Sequence, residues 1–141
     1  MKRFLLLWLV VSSFSSGLVA REGGRSQEPG KDKATIVFFR EGHYAGSALK
    51  PSIYLDGKDV GRLTNGHWFS VEVDPGKHEL ASSAKNEAHT VIETTAGQTT
   101  YVQMVIVPGA WRGAGRLMEV DTSEAKEKIA KLKLLEDKVT K

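Results

Sequence analysis

The sequence predicts a mainly β protein: an antiparallel β-sandwich of seven to eight short strands, immunoglobulin- or transthyretin-like, followed by one C-terminal amphipathic α-helix. Three observations carry this reading. Short runs rich in β-branched and aromatic residues recur from Ala34 to Val120. Asp-Gly, Asn-Gly and Pro-Gly signals separate them at near-regular spacing, as in sandwich folds. After Asp121 the apolar residues change from a period of two to helical spacing.

Ala34–Arg40 (ATIVFFR) is dense in residues that suit a pleated, buried surface and reads as the first strand. Glu41–Pro51 holds two glycines and reads as a loop. Ser52–Leu55 (SIYL) is a strand ended by Asp56-Gly57, a pair that tolerates positive φ and so marks a hairpin. Lys58–Leu63 returns from it, and Asn65-Gly66 reads as a second such turn. His67–Val73 alternates, with Phe69, Val71 and Val73 on one face and Trp68, Ser70 and Glu72 on the other. Asp74-Pro75-Gly76-Lys77 reads as a type II turn, because proline presets φ and glycine accepts a positive one. His78–Ser83, His89–Thr94 and Thr99–Val107 follow as strands, the last two flanking Ala96-Gly97. Pro108–Ala114 is a glycine-rich loop and Arg116–Val120 a last short strand.

Beyond it, Asp121 and Glu124 have the spacing of a capping box. Ala125, Ile129, Leu132, Leu135 and Val139 share one helical face, and Glu124–Lys128 and Glu127–Lys131 are i,i+4 pairs in the favourable order. A helix over 121–141 is expected, with its apolar stripe on one sheet or an open end. The same stripe offers a surface for weak self-association.

The N-terminus has the order of a secretory signal peptide. Met1-Lys2-Arg3 is positive, Phe4–Val11 (FLLLWLVV) is apolar, and Ser12–Ala20 is small and polar. Cleavage is expected after Ala20, with Gly17 as the alternative. The apolar run is shorter than the roughly 20 residues a spanning helix needs, so no stable membrane span is expected after cleavage. Residues 21–33, rich in glycine and charge, read as a flexible spacer, and 34–120 as the sandwich domain.

Composition narrows the chemistry. The net charge is +3, but removing Lys2 and Arg3 leaves 18 basic against 17 acidic residues, or +1. No excess of positive charge remains for phosphates, so no nucleic-acid partner is expected. The chain has no cysteine, which excludes disulfides, thiol nucleophiles, thiolate metal sites and a lipid-bearing cysteine. There is no Gly-x-Ser-x-Gly elbow. Gly109–Arg116 (GAWRGAGR) lacks the lysine and following helix of a phosphate loop. Asp56, Asp59 and Asp74 are accounted for by turns. His43, His67, His78 and His89 show no HxH or HxxxH spacing; a metal site would be tested first at His67 and His78 with Glu79 or Glu72.

Trp111 and Arg112 read as a binding tip or as a cover folded back on the sandwich edge, since both residue types dominate interface hot spots. Trp68 and Tyr54 read as an outer aromatic patch or, preferably, as the surface beneath the C-terminal helix.

The run from Ala34 to Val107 resembles the bacterial domain of unknown function family 2846. The matching residues are Ile36–Arg40, Tyr54-Leu55-Asp56-Gly57-Lys58, Val60-Gly61 with Leu63, Asn65-Gly66, Pro75-Gly76-Lys77-His78, and Ala96-Gly97-Gln98 with Tyr101. Single pieces such as LDGK and PGKH also occur in the PEGA domain; their order together carries the likeness. The resemblance implies a small β-sandwich of exported bacterial proteins, many of them lipoproteins, and no activity. The missing cysteine departs from the lipoprotein pattern.

The expectation is therefore an exported, non-enzymatic module, periplasmic or extracellular, soluble and not lipid-anchored, with no cofactor. Its binding or accessory role would involve an envelope protein or glycan, through a surface including Trp111, Arg112, Trp68 and Tyr54. The alternative is a histidine-based metal-binding protein or metal-dependent hydrolase.

Overall fold

The computed structural model describes residues 31–83, 89–107 and 114–135. The expected leader, most of the spacer, and Trp111 and Arg112 lie outside the described residues. Eight strands follow one another: β1 (Ala34–Phe39), β2 (Ser52–Leu55), β3 (Lys58–Arg62), β4 (His67–Val73), β5 (Gly76–Ser82), β6 (Thr90–Thr94), β7 (Thr99–Val107) and β8 (Ala114–Val120). Helix α1 (Thr122–Ile129) and a two-residue strand β9 (Lys133–Leu134) complete them. The strands form two sheets, ordered β8-β7-β1-β4-β9 and β3-β2-β5-β6. The expected sandwich is present.

Its connections differ from a chain of hairpins. Asp56-Gly57 makes the hairpin expected of it, with φ of 49° and 80° at its two residues. Asn65-Gly66 instead carries the chain from β3 in one sheet to β4 in the other. Asp74-Pro75 and the segment through Ala96-Gly97 also cross between sheets. Gly76 keeps a positive φ of 135° but already pairs with Thr94 as the first residue of β5. These crossings bring β1 beside β7 in parallel, Phe38 opposite Val102, within an otherwise mostly antiparallel sandwich.

Alternation along each strand fills the interior. Ile36 and Phe38 of β1, Ile53 of β2, Leu80 of β5, Ile92 of β6 and Val102 and Met104 of β7 meet there, together with Leu63. Each is nearly free of solvent, and such burial stabilises by about 1.5–3 kcal/mol per side chain. Phe38 and Phe69 stack tilted at 5.4 Å. The Ser82 and Thr90 hydroxyls donate to the carbonyls of Gly115 (2.5 Å) and Leu117 (3.0 Å). They tie the second sheet to edge strand β8 and occupy acceptors that an intruding strand would use.

The outward face of the larger sheet is also covered. Val37 and Phe39 face away from the interior yet are buried. Lys128 of α1 donates to Gln103 on the outward face of β7 at 3.1 Å, which lays the helix over that side. Asp121 caps α1 by accepting from the Ser123 amide at 2.9 Å. Glu124 pairs with Lys128 at 2.9 Å.

The helix is shorter than the periodicity of 121–141 implies. It ends at Ile129, and the amides of Lys131 and Leu132 close tight i−3 bonds. The amides of Lys133 and Leu135 then bond to the carbonyls of Gly66 (3.0 Å) and Trp68 (2.8 Å) on the edge of β4. Strand alternation sends Leu135 against the interior cluster and sets Leu134 opposite Trp68. Edge pairing and this apolar contact outweigh local helix propensity. Val139 lies outside the described residues.

Candidate functional site

The connections are distributed unequally between the two ends of the sandwich. At one end the links are short: Asp56-Gly57, Asp74-Pro75 and residues 95–98. At the other end lie residues 40–51 between β1 and β2 and residues 63–66 between β3 and β4. The same end is reached by the last residues of β5 and β7 and the first of β6 and β8, so the remaining two links also join there. Long connections on a rigid scaffold are where binding residues concentrate.

The 40–51 segment is a strap that crosses from one sheet to the other. Arg40 continues the inward parity of Ile36 and Phe38 and is only 2% exposed. Its Nη1 donates to the Leu49 carbonyl at 2.7 Å and its Nη2 to the Gly46 carbonyl at 2.6 Å. Among the described residues no carboxylate reaches it. Burial works against its charge and pulls its pKa below the usual guanidinium value. Gly46 has φ of 77°, and a Cβ there would stand 3.2 Å from Ile106 and 3.6 Å from Arg40, so the strap passes close over the β7 end. Asn65 clips the strap from the neighbouring link: its Oδ1 accepts from the His43 amide at 3.1 Å and its Nδ2 donates to the His43 carbonyl at 3.0 Å. Glu41, pointing the other way from Arg40, accepts from Gln103 at 2.7 Å and lies 3.4 Å from Lys128. Between these anchors Tyr44 stands 99% exposed.

The opposite end is held by ionised groups. His78 Nδ1 donates to Asp56 Oδ2 and Nε2 donates to the Asp74 carbonyl, each at 2.7 Å. Both acceptors lack a proton to give, so both bonds require the imidazolium. Burial opposes that charge, but Asp56 and Asp74 outweigh it and raise the pKa. The same contact, with the Glu79 amide donating to Oδ1, lowers the pKa of Asp56. Asp74 is lowered by the 2.5 Å bond from Lys33. His89 pairs with Glu79.

The residues singled out from sequence therefore separate. His67 is on β4 of the larger sheet, its Nδ1 donating to the Asn65 carbonyl at 2.8 Å; His78 is on β5 of the other. Among the described residues no three His, Asp or Glu side chains gather where they could hold a metal. Trp68 and Tyr54 do not form one patch. Trp68 is half-buried in the row Leu134–Trp68–Phe39–Gln103, on the side where α1 lies. Tyr54 faces outward from the smaller sheet, between Asp59 and Ala81. Trp111 and Arg112, outside the described residues, fall in the link between Val107 and Ala114. Sequence reasoning missed Arg40 and Tyr44 as parts of a site, although the parity of Ile36, Phe38 and Arg40 already pointed the arginine inward.

No helix among the described residues is long and apolar enough to cross a membrane. Comparison with known proteins adds family membership. A chain from Haemophilus influenzae called "Uncharacterized protein" is 24% identical over 109 residues, covering 77% of this chain and 64% of the relative. The chain thus spans a little under two thirds of that relative's length. No solved structure gives a significant match. The model of a family described as "Protein of unknown function (DUF2846)" matches residues 30–114, more than half the chain. The chain belongs to the DUF2846 family.

Proposed function

We propose that this protein is an exported, non-enzymatic binding or accessory module of the bacterial envelope, and that it meets its partner with the end carrying the 40–51 strap. The observation that supports this most is the unequal ends: the long 40–51 strap lies at one, while short turns pinned by His78 and Lys33 form the other. A rigid sandwich presenting loops from one end is a recognition architecture. The ionisable side chains also favour binding over catalysis. Asp56, Asp74, His78 and Arg40 are engaged in fixing turns and the strap. Export is supported by the charged, apolar and small-residue segments of residues 1–20.

Two experiments test this. Intact mass of protein recovered from the envelope fraction should correspond to cleavage after Gly17 or Ala20; an uncleaved cytoplasmic product counts against export. A photo-reactive amino acid at Tyr44, or at Trp111, should give adducts in living cells, whereas the same group at Lys77 should not. Equal adducts from all three sites would remove the distinction between the ends.

A further inference from the structure

Exposed, unpaired cations gather at the strap end of the sandwich. The exposed cations near the strap end are Lys50, Arg62, Arg116, Lys131 and Lys133. None of them has a carboxylate within salt-bridge range among the described residues. Glu41, at the same end, shares Lys128 with Glu124. The buried Arg40 adds a further positive charge that no carboxylate offsets. Asp56, Asp74 and Glu93 lie at the other end together with Lys33, Lys58, Lys77 and the His78 imidazolium, so that end is mixed in charge. Glu119, opposite Val102, is level with Phe38 on the strap side of mid-strand. The near-zero net charge of residues 21–141 thus conceals an excess of exposed, unpaired cations at the strap end.

We infer that the basic strap end docks on an anionic phospholipid surface, with Tyr44 seated at the headgroup level. Two features favour a lipid surface over a small anion or a folded partner. The cations are spread over both sheets: Lys50 and Arg62 flank the smaller one, Arg116 and Lys133 the larger. They form a rim that suits an extended field of charge, where each basic side chain contributes about 1 kcal/mol. The fully exposed side chain inside that rim is a tyrosine, whose apolar ring and polar tip match the interfacial zone. This reading rests on the strap end being the recognition surface.

The test is flotation of the full chain with phosphatidylcholine vesicles, with and without phosphatidylglycerol. Partition should require phosphatidylglycerol and be lost at high sodium chloride. Lys50→Gln and Arg62→Gln should each lower it about fivefold, and together about twenty-five-fold. Tyr44→Ala should weaken it severalfold, while Lys58→Gln with Lys77→Gln, at the short-turn end, should leave it unchanged. These side chains are exposed, so unchanged melting temperatures confirm that the variants fold. Equal partition onto neutral vesicles overturns the inference, as does equal loss in the control pair. Binding of heparin or DNA without vesicle partition also overturns it, assigning the basic end to a soluble polyanion. So does salt-sensitive self-association without partition, which assigns it to carboxylates of a second copy. Adducts from Tyr44 in cells alongside failed flotation would overturn the lipid assignment alone; loss of both would overturn the recognition surface as well.

Discussion

Arg40→Met removes the guanidinium that holds the strap while keeping most of the side-chain volume. Two charge-assisted bonds disappear, to Gly46 and Leu49, each of a kind that contributes about 1.5–3 kcal/mol. Two effects offset part of that loss. The cost of burying an uncompensated cation vanishes with it, and the freed carbonyls regain water as the strap lifts. A net loss of about 1–3 kcal/mol remains, and for a domain of this size each kcal/mol lowers Tm by roughly 4–8 °C. Arg40→Lys should fall between, since an ammonium lacks the planar fork that spans two carbonyls. Thermal denaturation measures the stability, and chymotryptic cleavage after Tyr44, followed by mass spectrometry, reads the strap. A variant with unchanged Tm and unchanged cleavage would refute the claim that Arg40 fixes this loop.

Other expectations follow from single contacts. The raised pKa of His78 means that its contribution is complete below about 6.5, its ordinary value, and is lost as pH rises through the folded value. Asp56, whose pKa is lowered, contributes above its ordinary 3.8 and loses that contribution as pH falls through the folded value. The Tm of the protein should therefore drop as pH rises above the ordinary histidine value of 6.5, and His78→Gln should lack that step; a parallel drop in both proteins would assign it elsewhere. Gly61→Ala forces a Cβ to within 3.3 Å of Phe69 at a φ of 147° and should cost about 1–3 kcal/mol in urea denaturation; a neutral result would show that Phe69 yields freely. Gln103→Met removes its bonds to Glu41 and Lys128 and should cost about 1 kcal/mol, with faster amide exchange in α1 than elsewhere.

The strands were legible because the interior selects for alternation. Phe69, Val71 and Val73 on one parity, and Val102 with Met104 on another strand, lie where their sequence pattern puts them. Strand order was not legible. Asn65-Gly66 and Asp56-Gly57 look alike in sequence, yet one crosses between sheets and the other closes a hairpin, because distant partners decide which sheet the next strand joins. The helix length was misread for a related reason: Leu132 and Leu135 fit a helical face, but the open edge of β4 offered hydrogen bonds and the interior offered Leu135 a contact. The candidate site was barely legible. Arg40 is separated from Leu49 by a loop without periodicity, and His78 from Asp56 by 22 residues, so neither contact leaves a local pattern. The basic character of the strap end emerges only when β3 of one sheet and β8 and β9 of the other are brought to the same end.

The most direct test of the two-ended account is amide hydrogen exchange of the full chain, alone and with membranes from the cells that produce it. The expected result is slowed exchange at residues 42–50 and 63–67, with residues 56–59 and 74–77 unchanged. Protection confined to the short turns around Asp56 and Asp74, or spread evenly over both ends, would contradict it.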